Sequence, residues 1–352
     1  MSLARLQSDK ELQQGIYYEV DTSKLLGKGG MGQVFQGTLV DVKKGTRKDV
    51  AVKFLFSDLA DHAIERARRE AQIQIDNDNL LRMYSFIEIE DASSGQSVKK
   101  RYHVVSEYID GVSLIDMIHG RTTNQFGVKL DEVEKLYNLY KEDRKTFSIQ
   151  VITEILQGIQ ALHEMGYIHR DLDPSNIMVS SGGQVKIIDF GIAKKIKDMK
   201  DQSGVQDHQL TSQGQFVGKP AYAAPELVLG NTQYQDQTTD IYAIGVILFQ
   251  LTTGRLPFEG HAATIIKQQV HSDMPLKLVP YPALRNVIRK ATYKKQNKRY
   301  QSAEEMLEDI RKSSEKKWFF ISSINWKKTI LVVLGLIVGY LLGSLLLVHL
   351  LN

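Results

Sequence analysis

Hydrophobic and polar positions change their spacing several times along this chain, and each change marks an element. Residues 1–15 are polar and read as a loose lead-in. Every second position from Val34 through Gln36 and Thr38 to Val40 follows the period of a strand. Val50-Ala51-Val52-Lys53-Phe54-Leu55 is a short apolar strand interrupted by one lysine, and Glu65 to Ile75 has helical composition. Asp91 to Arg101 is a polar turn, and Tyr102 to Ile109 is a strand running into a linker that Asp110-Gly111 ends. From Arg121 the chain is charged and aperiodic, an apparent insertion reaching to Thr146 in which no chemistry is evident. An apolar helix then runs from Ile149 to His163, and Val185 to Ile188 returns to strand. A different kind of stretch closes the chain. No formally charged residue occurs from Ile330 to Val348, and about 20 such residues are enough to cross a bilayer core.

Composition narrows the function classes. A chain of 352 residues has room for one two-lobed domain or two small ones. Charged residues make up 24% and apolar ones 42%, a globular balance except that the apolar excess gathers at the C-terminus. The net charge of +4, from 45 Lys plus Arg against 41 Asp plus Glu, is too mild to argue for a nucleic-acid partner. With no cysteine, disulfides, thiolate zinc sites and cysteine nucleophiles are excluded, which fits a reducing compartment. Arg5, Asp9, Lys10 and Glu11 deny the N-terminus the apolar core of a secretory signal.

The chemistry is expected in His169-Arg170-Asp171-Leu172-Asp173-Pro174-Ser175-Asn176, between the apolar helix and the strand at Val185. Two carboxylates and an amide lie close together there, and the proline keeps the backbone out of a helix. A further carboxylate arrives as Asp189 in Asp189-Phe190-Gly191. Such a set suits a magnesium-nucleotide reaction, in which one carboxylate orients a hydroxyl while an amide oxygen and another carboxylate hold hard cations. Upstream, Leu26-Gly27-Lys28-Gly29-Gly30-Met31-Gly32-Gln33-Val34 carries glycines in a G-x-G-x-x-G-x-V pattern. Glycines let backbone N–H groups approach phosphate oxygens without a Cβ in the way. A dinucleotide-binding unit would open a helix at this point. Strand follows instead, so a glycine-rich hairpin covering a nucleotide fits better. Beside Ala51, Lys53 is either a surface lysine or an ammonium aimed at phosphates, with Glu65 or Glu70 as its ion-pair partner. Backbone groups of Glu107 and Ile109, in the linker, are candidates to pair with an adenine edge.

Taken in order, the glycine loop, Val50-Ala51-Val52-Lys53, His169-Arg170-Asp171, Asp189-Phe190-Gly191 and Ala224-Pro225-Glu226 resemble the eukaryotic-type protein kinases. The glycine loop is most similar to those of the bacterial Hanks-type serine/threonine kinases, among them the membrane-anchored members. The resemblance covers roughly residues 16–312. It implies an α+β bilobal fold, with a β-rich N-lobe at about 16–109, a helical C-lobe at about 110–312, and ATP in the cleft between them. By the same resemblance Lys53 pairs with Glu70 and the α- and β-phosphates, Asp171 is the catalytic base, and Asn176 and Asp189 hold Mg2+. Asp240 braces the catalytic loop and Arg299 partners Glu226. Protein substrates are implied, with Ser203, Thr211 and Ser212 as acceptors in the activation segment and Arg170 ready to receive a phosphate there.

Two positions depart from that family. Asp173 stands where most serine/threonine kinases carry lysine, and Lys219, in Gly218-Lys219-Pro220-Ala221-Tyr222, stands where most carry threonine. An uncompensated carboxylate about 4 Å from Asp171 would cost roughly 4 kcal/mol at an effective dielectric near 20. A cation is therefore expected beside Asp173, and Lys219 is the candidate, which adds both residues to the catalytic set. The alternatives to a protein kinase are a small-molecule phosphotransferase, which often lacks the same lysine, and a nucleotide-binding pseudokinase scaffold. The Ala-Pro-Glu motif and long activation segment argue against the first, and intact Asp171 and Asp189 against the second.

Beyond the kinase-like part, a basic and aromatic segment at 313–328 precedes a transmembrane helix expected at 329–351. Lys316, Lys317, Trp318, Trp326, Lys327 and Lys328 are its interfacial anchors, with positive charge on the cytosolic side, where ATP and the kinase must be. With only a few residues beyond the span, no extracellular sensor domain is expected. Membrane lipid is thus an expected partner. Gly335, Gly339 and Gly343 recur every four residues and suit either a homodimer face or the ordinary glycine content of membrane helices.

Overall fold

Alternation of buried and exposed side chains builds the first half of the structure. The computed structural model describes residues 3–91, 99–189, 194–195, 219–231 and 234–314. Six strands, β1 (Leu3–Leu6), β2 (Ile16–Gly29), β3 (Gly32–Asp41), β4 (Thr46–Leu55), β5 (Met83–Asp91) and β6 (Lys99–Glu107), form one sheet in the order β1-β2-β3-β4-β6-β5. Tyr18, Val20, Phe35, Val50, Val52, Ile87 and Val105 close a small core on it. β2 and β3 meet in a tight hairpin with Gly29 opposite Gly32. β3 then runs along β4 with Val34 opposite Lys53. This register sets the glycine hairpin and the lysine on neighbouring strands. A Cβ at Gly32 would collide with the Phe54 carbonyl, so close approach of the backbones requires glycine there. Helix α2 (Asp61–Gln72) packs on β5 and β6 and turns Ala67, Glu70 and Ala71 inward.

The expected loose lead-in is ordered. β1 pairs antiparallel with β2, Leu6 opposite Tyr18, and α1 (Asp9–Gln14) follows it. Glu11 is buried, accepting the Ser8 backbone N–H at 3.3 Å and the Ser85 hydroxyl at 2.6 Å. A strand of four residues is too short to display its alternation, and a buried glutamate disguises the inward face.

The second half is helical: α3 (Leu114–Ile118), α4 (Asp131–Glu142), α5 (Arg144–Glu164), α6 (Pro225–Val228), α7 (Gln237–Thr253), α8 (Ala262–His271), α9 (Pro282–Ala291) and α10 (Ala303–Ser314). Every residue from Thr238 to Thr252 of α7 is buried, which makes it the core helix of this lobe. Short strands β7 (Gly111–Ser113), β9 (Ile177–Ser180) and β10 (Val185–Ile187) form a sheet in the order β10-β9-β7, and β8 (Tyr167–Ile168) pairs with β11 (Lys194–Lys195). Both lobes lie in one unit, Met1–Arg311.

The apparent insertion after Arg121 is also structured. Thr123 bridges Lys129 across a hairpin, and α4 follows with Val133, Leu136 and Tyr140 buried. Among the described residues no helix is long and apolar enough to cross a membrane. The stretch expected to do so, and all of the 313–328 segment except Ser313 and Ser314 at the end of α10, lies outside the described residues.

Candidate active site

The loop after β8 is held from below by one buried carboxylate. Asp240 on α7 accepts the backbone N–H groups of His169 and Arg170 at 2.9 and 2.8 Å. His163, at the end of α5, donates Nε2–H to it at 2.8 Å. Burial opposes ionisation of Asp240, but these donors outweigh it and hold the carboxyl below the usual range. Arg170 needs the brace. Its φ of +67° is in the left-handed region, a strain of order 1–3 kcal/mol that persists only where surroundings fix it. Arg170 also reaches Gln235, Nη1 to Oε1, at 3.0 Å.

Past this strained residue the loop turns on its own side chains. Asn176 Nδ2 donates to the Asp171 carbonyl at 2.8 Å and lies 3.4 Å from its Oδ2. The backbone N–H of Asn176 bonds the Asp173 carbonyl at 3.0 Å. Ile188 donates to the Asn176 carbonyl at 2.8 Å, tying the approach to Asp189 onto the same loop. Asp189 has a φ of +65°. Burial and the neighbouring carboxylates of Asp173 and Asp189 push the Asp171 carboxyl up to about 7, with Lys219 and Arg66 acting the other way. A carboxylate tuned toward neutrality is suited to take a proton from a hydroxyl.

The expected cation is beside Asp173. Lys219 Nζ lies 2.7 Å from Asp173 Oδ1 and also donates to the Ser175 hydroxyl. Across the cleft, a cavity of about 270 Å³ opens between the lobes. Of the residues singled out in the sequence, Leu26, Gly27, Val34, Ala51, Lys53, Glu70, Glu107, Ile109 and Asp189 line it. Lys28, Gly29, Gly30, Met31, Gly32 and Gln33, at and around the hairpin tip, do not. Gly27, Gly29 and Gly30 have no φ in the left-handed region, and a Cβ on any of them would meet nothing within 4 Å. The fold therefore gives no steric reason for these three glycines, whereas a ligand approaching the hairpin does. At the linker, no hydrogen bond among the described residues uses the Ile109 N–H. Glu107 is occupied on both sides, its N–H donating to the Arg82 carbonyl and its carboxylate accepting from Lys186, each at 2.9 Å.

One expectation from the resemblance is not met. Lys53 and Glu70 line the same cavity, but among the described residues no ion pair joins them. On α2, Arg66 stands one turn before Glu70. Burial lowers the pKa of its guanidinium while the carboxylates of Asp189, Glu70 and Asp171 work against that effect. Arg66 thus stands among carboxylates that include Glu70, the partner expected for Lys53. The sequence signal for it was the i, i+4 spacing to Glu70.

Gln125 was missed as well. It comes from the hairpin after α3, donates to the Tyr108 hydroxyl at 3.3 Å and lines the cavity. Met178 and Ile188 line it from the C-lobe side. The residues present also fit magnesium. Asn176 spends its N–H donor on Asp171, leaving its amide oxygen for a ligand. Among the described residues no group of three or more His, Asp or Glu is placed to hold a metal ion; Mg2+ is commonly held by one or two carboxylates together with phosphate oxygens.

Comparison with known proteins agrees with this geometry. Residues 20–319 match the protein kinase domain family. The chain is 34% identical over 300 residues to the probable serine/threonine-protein kinase PknB of Lactococcus lactis, covering 83% of this chain and 41% of that protein. It is 31% identical over 301 residues to the serine/threonine-protein kinase PknB of Mycolicibacterium smegmatis, covering 82% and 42%. Against the serine/threonine-protein kinase PrkC of Bacillus subtilis it is 29% identical over 299 residues, covering 82% and 39%. It spans about two fifths of the length of these relatives. By a match extending over most of its length, the chain belongs to the protein kinase family.

Proposed function

We propose that this chain transfers the γ-phosphoryl group of ATP to serine and threonine hydroxyls of proteins, itself included, at the cytosolic face of a membrane. The observation that carries the catalytic reading is the convergence of Lys53, Glu70 and Asp189 on one cavity, whose rim includes Gly27 of the hairpin and the linker residues Glu107 and Ile109. Adenine sits against Leu26, Val34, Ala51 and Met178, with its edge on the Ile109 N–H, which no described residue engages. Lys53 meets the α- and β-phosphates. Asn176 and Asp189 are the residues that would hold magnesium, which screens phosphate charge when bound. Asp171, fixed by Asn176 and tuned upward by burial, takes the proton of the acceptor hydroxyl.

Membrane attachment has its support in the sequence. The uncharged run from Ile330 to Val348 has the length of a span, and basic residues from Arg311 to Lys328 precede it. Each adds about 1 kcal/mol of attraction to anionic lipid near the surface. The glycines at 335, 339 and 343 support self-association of that span.

The test is to incubate the purified full chain with γ-labelled ATP and a generic protein, then analyse the phosphoamino acids. Phosphoserine and phosphothreonine are expected. Phosphotyrosine alone would overturn the acceptor class. Label only in a small alcohol would favour a small-molecule phosphotransferase, and nucleotide binding without transfer would favour a scaffold. Recovery of the chain in a carbonate-washed membrane fraction, lost on deleting residues 329–351, checks the attachment.

A further inference from the structure

Both departures from the kinase pattern meet at one point in space. Asp173 carries a carboxylate where the family keeps a cation, and Lys219 carries a cation where the family keeps a hydroxyl. Their side chains are 2.7 Å apart. The two ends differ in exposure: Asp173 is 4% exposed and Lys219 52%. Asp173 Oδ1 also accepts the Ser175 backbone N–H at 2.7 Å, so the carboxylate is fixed within its own loop as well as by the lysine.

The ammonium has three donors. Asp173 and the Ser175 hydroxyl take two of them. No described residue takes the third, which leaves it for a ligand, on a half-exposed group bordering the same small cavity as Asp171. A simple anchor for the segment ahead of α6 would gain little from a pair this exposed. A charge held in place by a buried carboxylate, with a donor in hand, is arranged for an anion.

We propose that Lys219 is the cation that faces the transferred phosphoryl group, relocated from the catalytic loop to the segment ahead of α6, and that Asp173 positions its ammonium. The inference rests on the phosphoryl-transfer reading above. In that step the acceptor oxygen bonds to the γ-phosphorus as the bond to the β,γ-bridging oxygen breaks. The electron pair leaves with ADP, and the hydroxyl proton passes to Asp171. Lys219 meets the negative charge on the γ-phosphoryl oxygens, where a fixed cation stabilises transfer more than it stabilises the bound nucleotide.

The experiment uses the full chain, with two readouts: phosphorylation of a generic protein, and binding of ADP against a non-hydrolysable ATP analogue. Lys219→Thr is expected to lower kcat about a hundredfold with KM for ATP changed about threefold or less. It should also lower the preference for the ATP analogue over ADP, by about threefold or less, while leaving ADP affinity intact. Lys219→Arg should retain that preference. Asp173→Lys should lower kcat, and Asp173→Lys combined with Lys219→Thr should recover activity to within about tenfold of the parent. Intact ADP binding certifies folding. Where Asp173→Lys fails that check, Asp173→Asn takes its place and must still lower kcat. Losses that simply add, or an unchanged ATP-to-ADP preference in Lys219→Thr, overturn the proposal. A parent chain that transfers no phosphate would sink the kinase reading instead, and the binding ratio would still decide the role of Lys219.

Discussion

Two ion pairs in this protein have nearly the same length and opposite character. Beneath α7, Arg299 holds Glu226 through two bonds, Nη1 to Oε1 at 2.7 Å and Nη2 to Oε2 at 2.9 Å. The remaining donors of Arg299 are spent on the carbonyls of Tyr293, Lys294 and Thr238. The Thr239 hydroxyl donates to Glu226 Oε1 at 2.9 Å. Arg299 is inaccessible and Glu226 nearly so. That network is closed, and its work is to hold α6 against α7. Lys219 and Asp173 form the open counterpart, with one partner buried, one half-exposed and a donor unspent among the described residues. Burial and saturation of the donors, rather than distance, separate scaffold from chemistry here.

The largest expected effect lies in the open region. Asp171→Asn keeps the size of the side chain and the Asn176 bond to its backbone carbonyl, but removes the proton acceptor. Transfer is expected to fall by about 10²–10⁴-fold with nucleotide affinity and thermal stability unchanged. Undiminished autophosphorylation would remove Asp171 from the mechanism. In the closed region the phenotype should reverse. Arg299→Met leaves Glu226 buried without its partner, which typically costs about 3–5 kcal/mol. Urea titration of the parent and variant checks this. A loss under about 1 kcal/mol would show that the pair is not structural and would break the comparison.

The same reasoning explains what could be read from the sequence. Long periodic segments announced themselves: Val34 to Val40 became β3 and Ile149 to His163 fell within α5. The loop acids and glycine hairpin were legible because their residue types and spacing are dictated by phosphate and magnesium chemistry. The exchange of charge between Asp173 and Lys219 was legible because an unpaired carboxylate there is too costly. What stayed hidden depends on tertiary placement. Nothing in the short run Leu3 to Leu6 shows that it adds an edge strand. Arg66 looks like one of several surface arginines until α2 is docked. Gln125 belongs to a polar stretch whose path no local pattern specifies.

Two histidines repeat the contrast at smaller scale. His163 is tied to Asp240, whereas His103 on β6 stacks edge-on against Phe54 at 4.4 Å and, among the described residues, its Nδ1 has no partner. Burial, then the Arg101 charge, depress its pKa from 6.5 to about 4. The unfolded chain therefore binds a proton that the folded chain refuses between those values. Stability is unaffected above about pH 6.5, falls as pH drops toward 4, and loses nothing further from this group below that. At pH 5 the loss is about 2 kcal/mol. His103→Phe, which preserves the stack, should show a shallower decline between pH 7 and pH 5 in urea titrations. Parallel declines would mean that His103 is not the titrating group.

The smallest effect concerns Gln125, and it separates the two ends of the nucleotide. Its hairpin is pinned by Asn124, which is 5% exposed. Asn124 Nδ2 donates to Asp110 Oδ1 at 2.8 Å, and its Oδ1 accepts the N–H groups of Phe126 and Val128, each at 3.0 Å. The pin delivers Gln125 to the mouth of the cavity, where it meets Tyr108 and stands with Leu26, Ile109 and Met178. That is the adenine side of the cleft, away from Asp171 and Lys219. One neutral hydrogen bond of this kind contributes about 0.5–1.5 kcal/mol. Gln125→Ala is accordingly expected to weaken ADP and the non-hydrolysable ATP analogue equally, by roughly fivefold, with kcat at saturating ATP unchanged. Lys219→Thr should do the reverse, weakening the ATP analogue while sparing ADP, and lowering kcat. Isothermal titration of both variants with both nucleotides places the four affinities side by side. A Gln125→Ala chain that discriminated between ADP and the ATP analogue differently from the parent would put the glutamine near the phosphates, and the division of the cleft into a recognition end and a transfer end would fail.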